Sequence, residues 1–190
     1  MCKDRKSLAW LAVAITIAIY IQLALGATMR HQHRDLSILD FPTANGAWIP
    51  DTSAAALAKI NAWRDARALS QVTAFQIWLQ MAHRFLASII AIAIITFSVR
   101  VWSVAEAPAA LKRLSVLWVT LVISQIALGG WVIWSNKAAD IATAHVALGA
   151  VMLSFGVSIS ATCFRISGTV GALRRADPAI TGRRPYRQPA

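Results

Sequence analysis

Residues 75–99 read Phe-Gln-Ile-Trp-Leu-Gln-Met-Ala-His-Arg-Phe-Leu-Ala-Ser-Ile-Ile-Ala-Ile-Ala-Ile-Ile-Thr-Phe-Ser-Val, an apolar run whose only ionisable side chains are His83 and Arg84. A helix rises ~1.5 Å per residue and the hydrocarbon core of a bilayer is about 30 Å thick, so a run of this length spans it. Working outward, residues 8–29, 114–134 and 141–164 meet the same criterion. The expected fold is therefore an all-α membrane protein, a single-domain bundle of four transmembrane helices over residues 1–190. Composition agrees: 57% of the 190 residues are apolar and 14% charged, with a mean hydropathy of +0.56. Soluble domains carry about 25% charged residues, so a water-soluble enzyme is excluded.

The formal charge of +11 is distributed by topology. Lys3, Arg5, Lys6, Arg100, Lys112, Arg113, Arg165, Arg174, Arg175, Arg183, Arg184 and Arg187 fall on one side of the four crossings. Arg30, Arg34, Lys59, Arg64, Arg67 and Lys137 fall on the other. Positive residues favour the cytoplasmic side, which puts both termini there and makes the chain a multi-pass protein of the inner (plasma) membrane. No stacking aromatics accompany the arginines, so no nucleic-acid partner is expected; the basic tail, 165–190, is suited to anionic membrane lipid. The apolar part of the first span exceeds the h-region of a signal peptide, so it reads as an uncleaved anchor. Cys2 and Cys163 both fall near the cytoplasmic face and have no metal-site spacing, and no fixed-period repeat is visible.

The long outer connection, residues 30–74, carries turn signals at Asp40-Phe41-Pro42, Asn45-Gly46 and Pro50-Asp51-Thr52-Ser53. Residues 54–69 read as a surface helix, lying on the membrane or over the mouth of the bundle, with Leu57, Ile60 and Trp63 on one apolar face.

Ionisable residues inside a membrane are functional candidates, and here they are His83, Arg84 and His145. His83 lies 17 residues before Arg100 and His145 lies 20 before Arg165, so their depths differ by about one helical turn. Two neutral imidazoles at matched depth suit the two axial positions of a haem iron, whereas structural zinc takes four protein donors. Arg84 is placed to pair a propionate. Gln22 and Gln125 are intramembrane amides able to bond across helices or to contact a substrate. His31 and His33 stand at the mouth.

These residues carry a resemblance. Leu25-Gly26 through Met29-Arg30, then Leu36-Ser37, Asp40-Phe41-Pro42, Asn45-Gly46 and Trp48-Ile49-Pro50, are similar to the first outer loop of the haem A synthase family of membrane cytochrome oxidase assembly proteins. His83-Arg84 with Ala87 resembles that family's Glu-x-x-His-Arg segment. Gln125-Ile126-Ala127-Leu128-Gly129 and Ala142-Thr143-Ala144-His145 with Ala147 resemble its paired third and fourth helices. The resemblance implies that His83 and His145 ligate haem, with Arg30 and Arg84 orienting it. It also implies oxidation of the C8 methyl of haem O to the formyl of haem A, with haem b as cofactor or haem O as substrate. The alternative is a non-catalytic bis-histidine haem-binding or electron-transfer protein of oxidase assembly. Family members have eight helices in two halves and this chain has one, which implies a homodimer or a second half-size subunit. Haem O synthase or other oxidase assembly components are the further partners it suggests. Gln80 stands where the family has its catalytic glutamate, and Ile38 and Ala44 replace the loop cysteines, so neither a carboxylate base nor an outer disulfide is available.

Overall fold

A computed structural model describes residues 2–31, 36–104 and 107–176. Five helices follow in order: α1 (Cys2–His31), α2 (Ala54–Asp65), α3 (Ala74–Ser103), α4 (Ala109–Trp134) and α5 (Ala139–Ala176). All but the short α2 are long and apolar enough to cross a membrane. The chain is an all-helical, multi-pass membrane protein.

The helices outrun their apolar stretches. α1 begins at Cys2 rather than 8, and α5 continues to Ala176 through what the sequence assigns to the tail. Helical hydrogen bonds close within the segment itself, so the helix persists after the hydropathy falls, with Lys3, Lys6, Ala172, Leu173, Arg174 and Arg175 favouring it despite Gly168 and Gly171. The surface helix is shorter than expected, ending at Asp65 instead of 69. Ala68 adopts a positive φ of 52°, and Leu69 N–H returns to the Arg64 carbonyl at 3.0 Å. The Asn61 side chain then pairs with both main-chain groups of Val72, at 2.8 and 3.0 Å, turning the chain toward α3. α3 opens on a capping box between Thr73 and Gln76.

α1 packs against α3 and α5, and α4 against the same two, so α3 and α5 stand diagonally across the bundle. At the end that bears the termini, one core joins all four spans through Leu8, Ala12, Ile15 and Ile19 of α1, Ile94, Phe97 and Val101 of α3, Trp118 and Val122 of α4, and Met152 and Ile159 of α5. Trp118 and Phe97 meet edge to face at 5.5 Å. A second, smaller cluster at the loop end gathers Ile38, Ala44, Val72, Ile77 and Met81, with Leu57 and Ile60 of α2 laid against it. Trp63 does not join that face: it is 47% exposed, and Arg67 stacks on its ring at 3.9 Å. The polar face of α2 instead buries Arg64, whose Nε donates to Ser70 O and whose terminal nitrogen donates to Leu36 O. Exposed tryptophans ring both ends of the spans, Trp10 and Trp102 at one and Trp78, Trp131 and Trp134 at the other, as expected at bilayer interfaces.

α5 approaches α1 through glycine. A Cβ on Gly156 would lie 2.7 Å from Thr16 Oγ1 and 3.3 Å from the Trp118 ring. Gly156→Val is therefore expected to destabilise the bundle by about 1–3 kcal/mol. The melting temperature in detergent should fall, while Gly168→Val, where a Cβ meets nothing within 4 Å, leaves it unchanged.

Candidate functional site

Directly beyond the last buried layer of the main core, four polar side chains occur at one level: Gln22 of α1, His83 of α3, Gln125 of α4 and His145 of α5. Both expected histidines are thus on the diagonal pair of helices. Each ring is half-buried, with its Nδ1 enclosed and without a hydrogen-bond partner.

The surroundings of the two rings match. Gln22 Nε2 donates to the His83 carbonyl at 2.9 Å, and Gln125 Nε2 donates to the His145 carbonyl at 3.0 Å. A Cβ on Gly26 would lie 3.4 Å from His83 Cε1, and one on Gly129 would lie 3.1 Å from His145 Cε1. Each imidazole therefore rests on a glycine of the neighbouring helix, one turn from the glutamine that holds its backbone. α1 with α3 and α4 with α5 thus each present the same glutamine–glycine arrangement around a histidine. The signal was available in the sequence as Gln22-Leu23-Ala24-Leu25-Gly26 and Gln125-Ile126-Ala127-Leu128-Gly129. It escapes a search for a fixed period because the long loop separates the two helices of the first pair only.

The other expected site residues face the loop. Arg84 donates through its two terminal nitrogens to Thr43 O and Asp40 O, both at 2.7 Å, so its fork is engaged with main chain and Nε alone stays without a partner. Gln80, one turn earlier, accepts from Ile38 N–H at 2.9 Å and donates to Ile38 O at 3.1 Å. Arg30 is exposed at the loop end of α1. Ile38 and Ala44, at the positions of the missing cysteines, are both buried in the loop-end cluster. Phe41 reaches α4, edge to face with Trp134 at 5.9 Å and against Gly130. The segment 38–47, rather than α2, thus bridges α3 and α4 above the histidines. His33, Arg34, Arg183, Arg184 and Arg187 lie outside the described residues, as do the side chains of Cys2, Lys3, Arg5, His31, Arg174 and Arg175.

Asp40 organises that bridge. Its carboxylate accepts from Thr43 Oγ1 and Asn45 N–H at 2.7 Å and from Gly46 N–H at 3.0 Å, closing a turn in which Asn45 and Gly46 both take positive φ. Burial by itself would raise the Asp40 carboxyl, but the Gly46, Thr43 and Asn45 donors outweigh it and hold the group below its ordinary value of 3.8. A depressed folded value means that the stabilisation is complete above the unfolded value and is lost as pH falls through the folded one. Protease nicking within 38–47 should stay constant from neutral pH down to about pH 4 and rise only in stronger acid. Asp40→Ala should raise it already at neutral pH, by loosening the turn about 1 kcal/mol.

A family model described as cytochrome oxidase assembly protein, COX15-CtaA, matches residues 2–157, which include all four spans' site residues. The chain belongs to this family. No curated protein and no solved structure matches it. A role in cytochrome oxidase assembly follows from membership, and the site can be tested against the haem that such a role involves. Among the described residues of this oxidase assembly protein no three His, Cys, Asp or Glu side chains converge, so a metal ion dependent on three or four protein donors has no site among them. Two imidazoles alone meet the need of an iron already held by four porphyrin nitrogens, and the glycines under both rings leave room at their edges. The donor set fits haem.

Proposed function

We propose that this oxidase assembly protein binds haem between His83 and His145 and serves the oxidation of the C8 methyl of haem O to the formyl of haem A. The observation that carries the haem reading is the diagonal placement of two half-buried imidazoles, each with Nδ1 enclosed, in duplicated surroundings. When bound, haem would supply either the redox centre or the substrate. His83 and His145 would provide its axial nitrogens. The glycines set the ring positions, and Gln80 and Arg84 tie the 38–47 bridge down over the loop end.

A second reading, haem binding or electron transfer without methyl oxidation, is favoured by Gln80. A neutral amide already paired at both ends with Ile38 cannot act as a base. Protein made alongside a haem O synthase separates the two when its pigment is extracted and weighed by mass spectrometry. Haem A or the alcohol intermediate is expected for the oxidising protein. Haem b or unchanged haem O alone would establish the binding reading, and absence of pigment would overturn both. We further infer an inner-membrane location with both termini cytoplasmic, from the twelve-to-six distribution of basic residues. A homodimer, or pairing with another half-size subunit, would complete the eight helices found in family members.

A further inference from the structure

A groove of about 470 Å³ lies at the end of the bundle away from the outer loop, where α3 stops and α4 starts. This is within the size range of small-ligand sites. Its lining changes character in order along one face of α4. Lys112 and Arg113 come first, Val116 and Leu117 follow one turn deeper, and Thr120 stands a turn beyond them. Trp102 of α3 completes the rim, with the Lys112 ammonium 5.5 Å from its ring centre. A cation at that distance is attracted to the aromatic face, so the lysine is held at the groove.

No carboxylate lines the groove, and the connection 100–113 carries Arg100, Lys112 and Arg113 against Glu106 alone. Val116 and Leu117 are 48% and 46% exposed, so the described helices leave the apolar stretch uncovered. From Lys112 to Thr120 the helix rises about 12 Å, which carries this face from the interface marked by the exposed Trp102 into the hydrocarbon. A matching ligand must be anionic at one end and apolar over the next ~12 Å. Free phosphate satisfies only the first condition and a neutral lipid only the second. We propose that the groove binds one anionic phospholipid, its phosphate on Lys112 and Arg113 and an acyl chain along Val116, Leu117 and Thr120. Anionic lipids concentrate in the cytoplasmic leaflet, the side to which the basic residues assign this end. The site is separate from the basic tail and independent of the haem reading, since none of its residues belongs to the histidine level.

The test is native mass spectrometry of the full chain in nonionic detergent, titrated with dioleoylphosphatidylglycerol, with dioleoylphosphatidylcholine or with inorganic phosphate. One phosphatidylglycerol should be retained in preference to phosphatidylcholine, and inorganic phosphate should not displace it. Each cation near an anionic headgroup contributes about a fivefold factor, so Lys112→Gln with Arg113→Gln should weaken retention about thirtyfold. Arg174→Gln with Arg175→Gln, which removes the same charge from the tail, should leave it unchanged. Leu117→Trp keeps both cations and fills the apolar part of the groove, and it should also weaken retention. Arg113 is exposed, so Arg113→Gln alone serves if the double variant fails to fold. Equal retention of the two lipids, displacement by phosphate, equal loss in the two double variants, or full retention by Leu117→Trp would each overturn the proposal. So would a dimer that takes up no lipid and dissociates on Leu117→Trp, since a second copy would then cover the groove.

Discussion

His83→Ala and His145→Ala are each expected to abolish stable haem binding, with a loss on the order of 100-fold or more in affinity and of the sharp low-spin optical spectrum of two imidazoles. The expectation follows from the diagonal geometry. α3 and α5 make no extensive contact, so a ligand between them is held from both sides, and removing one side leaves the other ring with no means of closing the gap. Because the two rings occupy equivalent surroundings, the two variants should behave alike, unlike a site in which one histidine is a ligand and the other only packs. Titration of the purified variants with haem b, followed by absorbance, checks this. Retention of the parent spectrum by either variant would remove the basis of the proposed site. The helices should remain folded, since the main core lies beyond the histidine level and does not include them.

Gln80→Glu carries the second largest expected effect. On the sequence alone this change restores the family's glutamate and looks like a gain of function. Here it should be a loss of stability. Gln80 is 8% exposed and uses both ends of its amide on Ile38, accepting from N–H and donating to O. An ionised carboxylate keeps the first bond and faces the Ile38 carbonyl with a second acceptor, leaving that carbonyl unpaired and a charge buried beside it. The cost is about 3 kcal/mol, at the upper end for a buried unsatisfied group because the group is charged. The visible consequences should be faster proteolysis of the 38–47 segment and a lower melting temperature. A Gln80→Glu protein as stable as its parent would show that the Ile38 pairing contributes little, and haem A made by it but not by its parent would show that a carboxylate is the missing catalytic part.

Much of this was legible in the residues, for identifiable reasons. Hydropathy is a local property, so four apolar runs marked four helices, and an ionisable residue within such a run stood out against its neighbours. His83 and His145 stand out that way, and a count of residues to the arginine that ends each apolar run matches their depths. Helix ends were less legible, as the extension of α5 to Ala176 and the halt of α2 at Asp65 show, because they depend on propensity and on side chains such as Asn61 that meet the chain eleven residues away. Arg84 shows the same limit more sharply. A cation beside a candidate haem ligand suggests a propionate, yet the fold turns it to two carbonyls more than forty residues away in sequence.

The sequence by itself therefore determined that the chain is a four-span membrane protein with two histidines at one depth, since length, apolarity and residue type decide those points without reference to anything distant. Only the tertiary structure decided that those histidines stand diagonally, that each rests on a glycine and is held by a glutamine from the neighbouring helix, and that Gln80 and Arg84 serve the loop. The physical reason is that a buried polar group must find a partner wherever the fold brings one. Which carbonyl reaches which amide depends on how the helices are arranged and not on the residues beside it.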